Sequence, residues 1–203
     1  MTSVDGGSAP YYGLKSLANN SAIFVAPDGL NKGWANQGGE DITLLETIRK
    51  QVEDDLCVNE KLRFSLGFSY GGAMSFSLAC SHAKDFRAIA VLSGATLSGC
   101  AGGNDPIAIY GQHGVKDSVL PIDSGRQIRD RFVKLNGCQP KTAPEPARNS
   151  RQRITTVYDS CKYPTQWTAF DGDHVALPDD AGNDVGAQSW TPAEVWKFFS
   201  QFE

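Results

Sequence analysis

Residues 62–72 read Leu-Arg-Phe-Ser-Leu-Gly-Phe-Ser-Tyr-Gly-Gly, and their order decides how the rest of the chain is organised. A short apolar run enters G-x-S-x-G and leaves it into a stretch with helical character, the setting of a nucleophile elbow centred on Ser69. The glycines have a physical purpose. Where a strand turns sharply into a helix, a side chain at Gly67 or Gly71 would clash, and Ser69 is pushed out with its Oγ exposed above a helix N-terminus. The pentapeptide alone is a weak signal, because glycine and serine are common and it also fits an ordinary turn packing a helix on a sheet. Its place between strand and helix makes it specific.

A serine nucleophile needs a base and an orienting acid, and the chain offers three histidines, His82, His113 and His174. In α/β-hydrolases the partners follow in the order serine, acid, histidine. His82 ends the helix that Ser69 begins and is too far along it to fold back. His113 closes the apolar run Ile107-Ala-Ile-Tyr-Gly-Gln-His-Gly, ahead of any suitable acid, and is expected to line the site. His174 lies in Phe170-Asp-Gly-Asp-His-Val-Ala-Leu-Pro, after an aromatic-rich strand, where chain order wants the base. Asp117, in the loop between, is the expected acid. Among its competitors, Asp105 precedes the strand, Asp123 suits a helix N-cap, and Asp171 and Asp173 lie too close in sequence to His174; Asp159 is a further candidate. Asp117 would accept Nδ1–H of His174, fixing the tautomer whose Nε2 takes the serine proton.

The rest of the chain fits one compact α/β domain. Its 203 residues are 40% apolar and 21% charged, without repeats or heptads. Strands are expected at 22–26, 62–66, 88–92, 107–110, 154–158 and 165–170. Helices are expected at 41–56, with Ile42, Leu45, Ile48, Val52 and Leu56 on one face, and at 72–82, 123–135 and 191–202. The alternation of strand and helix predicts a mostly parallel sheet with helices on both faces. Val195, Trp196 and Phe199 read as core positions of the last helix, and Ile128, Phe132 and Leu135 as those of the one before it.

Five cysteines, at 57, 80, 100, 138 and 161, lack the two-to-four-residue spacing of metal sites, so no metal is expected. Disulfides suit them better. Cys80 and Cys100, like Cys138 and Cys161, sit at ends of neighbouring elements, which leaves Cys57 over. Bridges imply an oxidising compartment and a secreted protein, although no signal-like stretch is visible near Met1. The net charge of −4 and scattered basic residues argue against nucleic acid; no apolar run approaches the length of a membrane span, and no nucleotide motif calls for a cofactor. A monomer is expected. Trp34, Tyr70, Trp167 and Trp190 are aromatic candidates for a substrate wall, with ordinary packing as the alternative for each.

From Tyr11 to Phe202 the chain resembles fungal feruloyl esterases, relatives of polyhydroxyalkanoate depolymerases and acetylxylan esterases. The resemblance rests on Tyr11-Tyr-Gly-Leu-Lys-Ser-Leu-Ala, Ile23-Phe-Val-Ala-Pro-Asp-Gly, Gly33-Trp-Ala-Asn, Gly67-Phe-Ser-Tyr-Gly-Gly-Ala-Met-Ser, His113-Gly-Val-Lys-Asp-Ser-Val-Leu-Pro and Trp196-Lys-Phe-Phe-Ser-Gln-Phe. It implies an α/β-hydrolase fold, the triad named above, and hydroxycinnamate esters of plant cell-wall arabinoxylan as substrates. It also implies first strands and a glycine-paired oxyanion loop upstream of Tyr11, which this chain lacks, so a truncated product is expected. One oxyanion donor would be the N–H of Tyr70. The alternatives are an acetyl or polyester hydrolase with the same triad, or an inactive fragment.

Overall fold

The computed structural model describes residues 9–202. Five short helices and five strands follow in the order α1 (Leu14–Ala18), α2 (Glu40–Asp55), β1 (Phe64–Phe68), α3 (Tyr70–Ser81), β2 (Ala88–Leu92), β3 (Ala108–Gly114), α4 (Ile122–Leu135), β4 (Arg153–Val157), β5 (Thr165–Phe170) and α5 (Thr191–Ser200), with short 3₁₀ turns between some of them. The strands form one sheet ordered β1-β2-β3-β5-β4. β1, β2, β3 and β5 run parallel, with Phe64 opposite Ala88, Ala88 opposite Ala108 and Ile109 opposite Thr165.

One strand departs from the parallel expectation. β4 pairs antiparallel with β5, Arg153 opposite Phe170, and forms an edge. A parallel partner needs a crossover of a dozen or more residues, and only seven separate β4 from β5.

The central strands explain the layering. All five residues of β2 and all seven of β3 are buried, as strands covered on both faces must be. Ala88, Ala90 and Leu92 face a core shared with Tyr110 and with Val195, Phe198 and Phe199 of α5. Ile89 and Val91 face the opposite core, with Phe76 of α3 and Ile128 and Phe132 of α4. The amphipathic faces of α4 and α5 therefore pack as their periodicity predicts. Met74 and Leu78 of α3 meet Trp34, Ile42, Leu44 and Leu45, which seats α2 on the outer side of α3.

Two sequence expectations are corrected on the β1 flank. Residues 22–26 form no strand: Phe24 packs beside the first core, but Ile23 and Val25 are about half exposed. An apolar alternation has strand propensity, yet a strand exists only where its backbone pairs. Leu56 lies past the end of α2 and is exposed. Elsewhere the boundaries move by a few residues, most at the elbow, where the strand ends at Phe68 and the helix opens at Tyr70. Asp123 is not the N-cap of α4; Pro121 is, and Asp123 sits in the first turn, paired with Arg126 at 2.6 Å.

Cys80–Cys100 ties the end of α3 to the segment after β2, and Cys138–Cys161 ties the segment after α4 to the β4–β5 connection. Cys57 is free and exposed. Buried Asn136 anchors the same region by accepting from Ile107 N and donating to Ile107 O and Thr165 Oγ1. Among the described residues no helix is long and apolar enough to cross a membrane.

Candidate active site

Ser69 is the hinge of the β1–α3 turn. Its φ of 55° and ψ of −117° lie outside the regions a serine ordinarily occupies, a strain of about 1–3 kcal/mol that the surroundings must hold. They do so by hydrogen bonds and by close packing. Ser69 N–H donates to Leu92 O of β2 at 2.9 Å, and Ser69 O accepts the first helical bond from Ala73 at 2.9 Å. A Cβ at Gly67 would strike the backbone of Gly71, so only glycine there allows strand and helix to approach this closely. The serine side chain stays partly exposed at the C-terminal end of the parallel strands, and the backbone N–H of Tyr70 opens the helix beside it.

The loops after β3 and β5 meet at the same end of the sheet. Asp117 has a fully buried carboxylate. Its Oδ1 accepts Val119 N–H at 3.0 Å and Leu120 N–H at 2.7 Å, while Oδ2 lies 2.8 Å from His174 Nδ1. Burial alone would raise the carboxyl pKa. The donors from His113, His174 and Leu120 outweigh it and hold the group well below the usual carboxylate range. His174 is mostly buried, and its ring packs on Phe68 with centroids 4.5 Å apart, one residue from Ser69.

Further contacts stitch the two loops together. Val115 N donates to Phe170 O and Lys116 N to Gly172 O, both at 2.9 Å. Lys116 Nζ pairs with buried Asp171 at 2.9 Å. Asp173 accepts from Ser118 N at 2.7 Å, from Ser118 Oγ at 2.9 Å and from His174 N at 2.8 Å, and these donors hold its pKa below the ordinary value.

The structure thus gathers Asp117 and His174 beside the elbow, and it separates off other candidates. His82 is held at the end of α3 by Glu46 at 2.7 Å. Asp105 pairs with Lys84 and Asp159 with Lys141 at the surface. His113 does not line an open site: its side chain is 0% exposed. Trp34, expected at a substrate wall, is buried against Met74 and Leu78, and its carbonyl accepts from Ser98 Oγ at 2.5 Å. Trp167 is likewise buried, and Trp190 packs edge-on against Phe170.

Tyr12 is a neighbour of the elbow that sequence reasoning passed over. Its Oη accepts Phe68 N–H at 3.0 Å and, mostly buried, has a raised pKa. A tyrosine distant in sequence carries no local signal for capping a strand edge. Among the described residues no cluster of His, Cys, Asp and Glu is arranged to hold a metal.

Comparison with known proteins places the chain in a family. Feruloyl esterase C of Emericella nidulans is 50% identical over 190 residues, 94% of this chain and 68% of the relative. Feruloyl esterase D of Neurospora crassa is 50% identical over 97% of this chain and 68% of its own length. The chain belongs to the fungal feruloyl esterase family. It spans about two thirds of the length of these esterases, and no protein-family model matches it. The acetyl xylan esterase from Aspergillus awamori superimposes with a TM-score of 0.66 at 13% identity, over 94% of this chain and 83% of that one. That likeness speaks for the fold alone, an α/β-hydrolase esterase fold, which this feruloyl esterase relative shares.

Proposed function

We propose that this chain is a secreted serine esterase that hydrolyses feruloyl and related hydroxycinnamoyl esters of arabinoxylan, with Ser69 as nucleophile, His174 as base and Asp117 as its orienting acid. The observation that carries the proposal is the 2.8 Å contact of His174 Nδ1 with the buried Asp117 carboxylate, beside the residue that precedes Ser69. With Nδ1–H committed to Asp117, Nε2 is the free nitrogen of the ring, able to take the Ser69 proton as Oγ attacks the ester carbonyl. His174 then passes that proton to the leaving alcohol. A water activated by the same imidazole cleaves the acyl-enzyme and releases the hydroxycinnamate.

The Tyr70 N–H at the start of α3 supplies one donor to the tetrahedral oxyanion. Relatives at about 50% identity named for feruloyl ester hydrolysis support the substrate class. Two disulfides support an oxidising compartment and hence secretion. We take residues 9–202 to work as one domain.

The test is hydrolysis of methyl ferulate by the chain and by Ser69→Ala. Ferulate release by the wild type, a loss of about 10⁴-fold or more in the variant, and labelling of Ser69 by a fluorophosphonate bear the proposal out. Equal rates in the two chains, or faster turnover of short acetyl esters than of methyl ferulate, overturn the mechanism or the substrate respectively.

A further inference from the structure

His113 sits at the end of β3, four residues before Asp117, with no exposed side-chain surface. Its Nε2 lies 2.7 Å from Leu120 O and 3.2 Å from Asp117 Oδ2. A carbonyl oxygen only accepts, so Nε2 carries the proton and donates. Nδ1 is buried without a protein hydrogen-bond partner. A proton there would be a buried orphan donor, so the ring is the neutral Nε2–H tautomer, held in place at the expense of an unpaired acceptor.

The pocket around the ring is shaped to it. His113 stacks on Trp167 with centroids 6.3 Å apart, and Gly125 of α4 lies against its other edge. A Cβ at Gly125 would collide with His113 Nδ1 and with the Trp167 ring. The charged groups nearby are few. Arg129 of α4 covers the Trp167 ring at 5.3 Å, and Asp173 and the Lys116–Asp171 pair belong to the two loops.

Resting on the assignment of Ser69, Asp117 and His174 above, we infer that His113 is a positioning residue: through its Nε2–H it fixes the loop 117–120 and the Asp117 carboxylate so that Oδ2 presents a lone pair to His174. Its contact is with the acid and never with substrate. Without it the carboxylate is still tied by Val119 and Leu120 N–H through Oδ1, but Oδ2 is free to swing, and His174 loses its defined orientation toward Ser69.

The test compares kcat and KM on methyl ferulate for the full chain carrying His113→Leu, His113→Gln or Gly125→Ala, with thermal unfolding of each. His113→Leu lowers kcat on the order of 10- to 100-fold with KM within about twofold. His113→Gln, whose amide Nε2 carries a donor near the place of the imidazole nitrogen, recovers most of it. Gly125→Ala lowers kcat by displacing the ring, without touching a reacting atom. In a ¹⁵N-labelled chain the His174 Nδ1–H resonance moves in the Leu variant and returns in the Gln variant.

An unmoved resonance with wild-type kcat in His113→Leu overturns the inference, as does a loss that follows only the unfolding temperature and is not restored by glutamine. Undiminished hydrolysis by Ser69→Ala overturns instead the triad assignment on which it rests, while the resonance still shows whether His113 orients the pair.

Discussion

The two ends of the sheet are built differently. At the β3–β5 side, the loops 114–120 and 171–174 are joined by main-chain bonds, buried carboxylates and imidazoles that leave little freedom. At the β1 edge, residues 22–30 form no regular strand, and Ile23, Val25 and Leu30 are each at least half exposed. The contrast teaches where stability and chemistry are concentrated. The first region holds polar groups out of water and pairs most of them, His113 Nδ1 being an exception, whereas the second is apolar, lightly covered and tolerant.

The largest effect that tests the contrast is at the acid. Asp117→Asn keeps the size of the side chain but offers His174 an amide, and kcat on methyl ferulate is expected to fall about 10³- to 10⁴-fold; a loss below tenfold would place the chemistry elsewhere. Next is the covalent tie beneath that region. Replacing Cys138 and Cys161 together by serine removes a bridge of sequence separation 23, expected to cost about 3 kcal/mol and, for a chain of this size, to lower Tm by about 6–12 °C in calorimetry.

Acid should distinguish the regions further. Asp117 is held below the ordinary carboxylate value of about 3.9, so its contribution to stability is complete above that pH and is lost as pH falls toward the folded-state value. Asp171 and Asp173 are lowered in the same sense, the first by Arg151 N–H and Lys116 against the opposing effect of burial. Denaturant midpoints should therefore drop between about pH 4 and pH 2, less steeply in Asp117→Asn. The smallest effect belongs to the other flank. Val25→Ser should change stability by no more than about 0.5 kcal/mol and leave kcat alone, and a substantial loss would show that the β1 flank is as tightly determined as the site.

Much of this was legible in the sequence for local reasons. Gly67 announces a sharp turn because a Cβ there would strike the Gly71 backbone, whereas a Cβ at Gly71 itself would meet nothing nearer than Tyr12 Oη at 4.0 Å, so the clash expected at that second glycine is not found; Ile128 and Phe132 are four apart on one helical face. His174 and Asp117 follow from chain order. The failures are non-local. Ile23-Phe-Val-Ala has the composition of a strand, but composition does not supply a pairing partner. The antiparallel course of β4 depends on where its neighbour lies, which no periodicity records. His113 ends an apolar run and looks the same whether it faces a cleft or the Asp117 loop; its burial is settled by Leu120 O, which reaches it only once that loop has closed. Trp34 reads equally as a wall or as core, and its place against Met74 depends on how α2 docks.

A carboxylate has about four lone-pair positions, and four N–H groups surround that of Asp117, from Val119, Leu120, His113 and His174. These donors hold Asp117 ionised, its pKa well below the ordinary carboxylate range. In the proposed cycle the proton accepted from Ser69 therefore leaves the ring an imidazolium beside a carboxylate, and the Asp117–His174 couple alternates between one negative charge and none. The developing oxyanion thus faces a couple that has just become neutral, which spares it electrostatic repulsion at the moment its own charge appears.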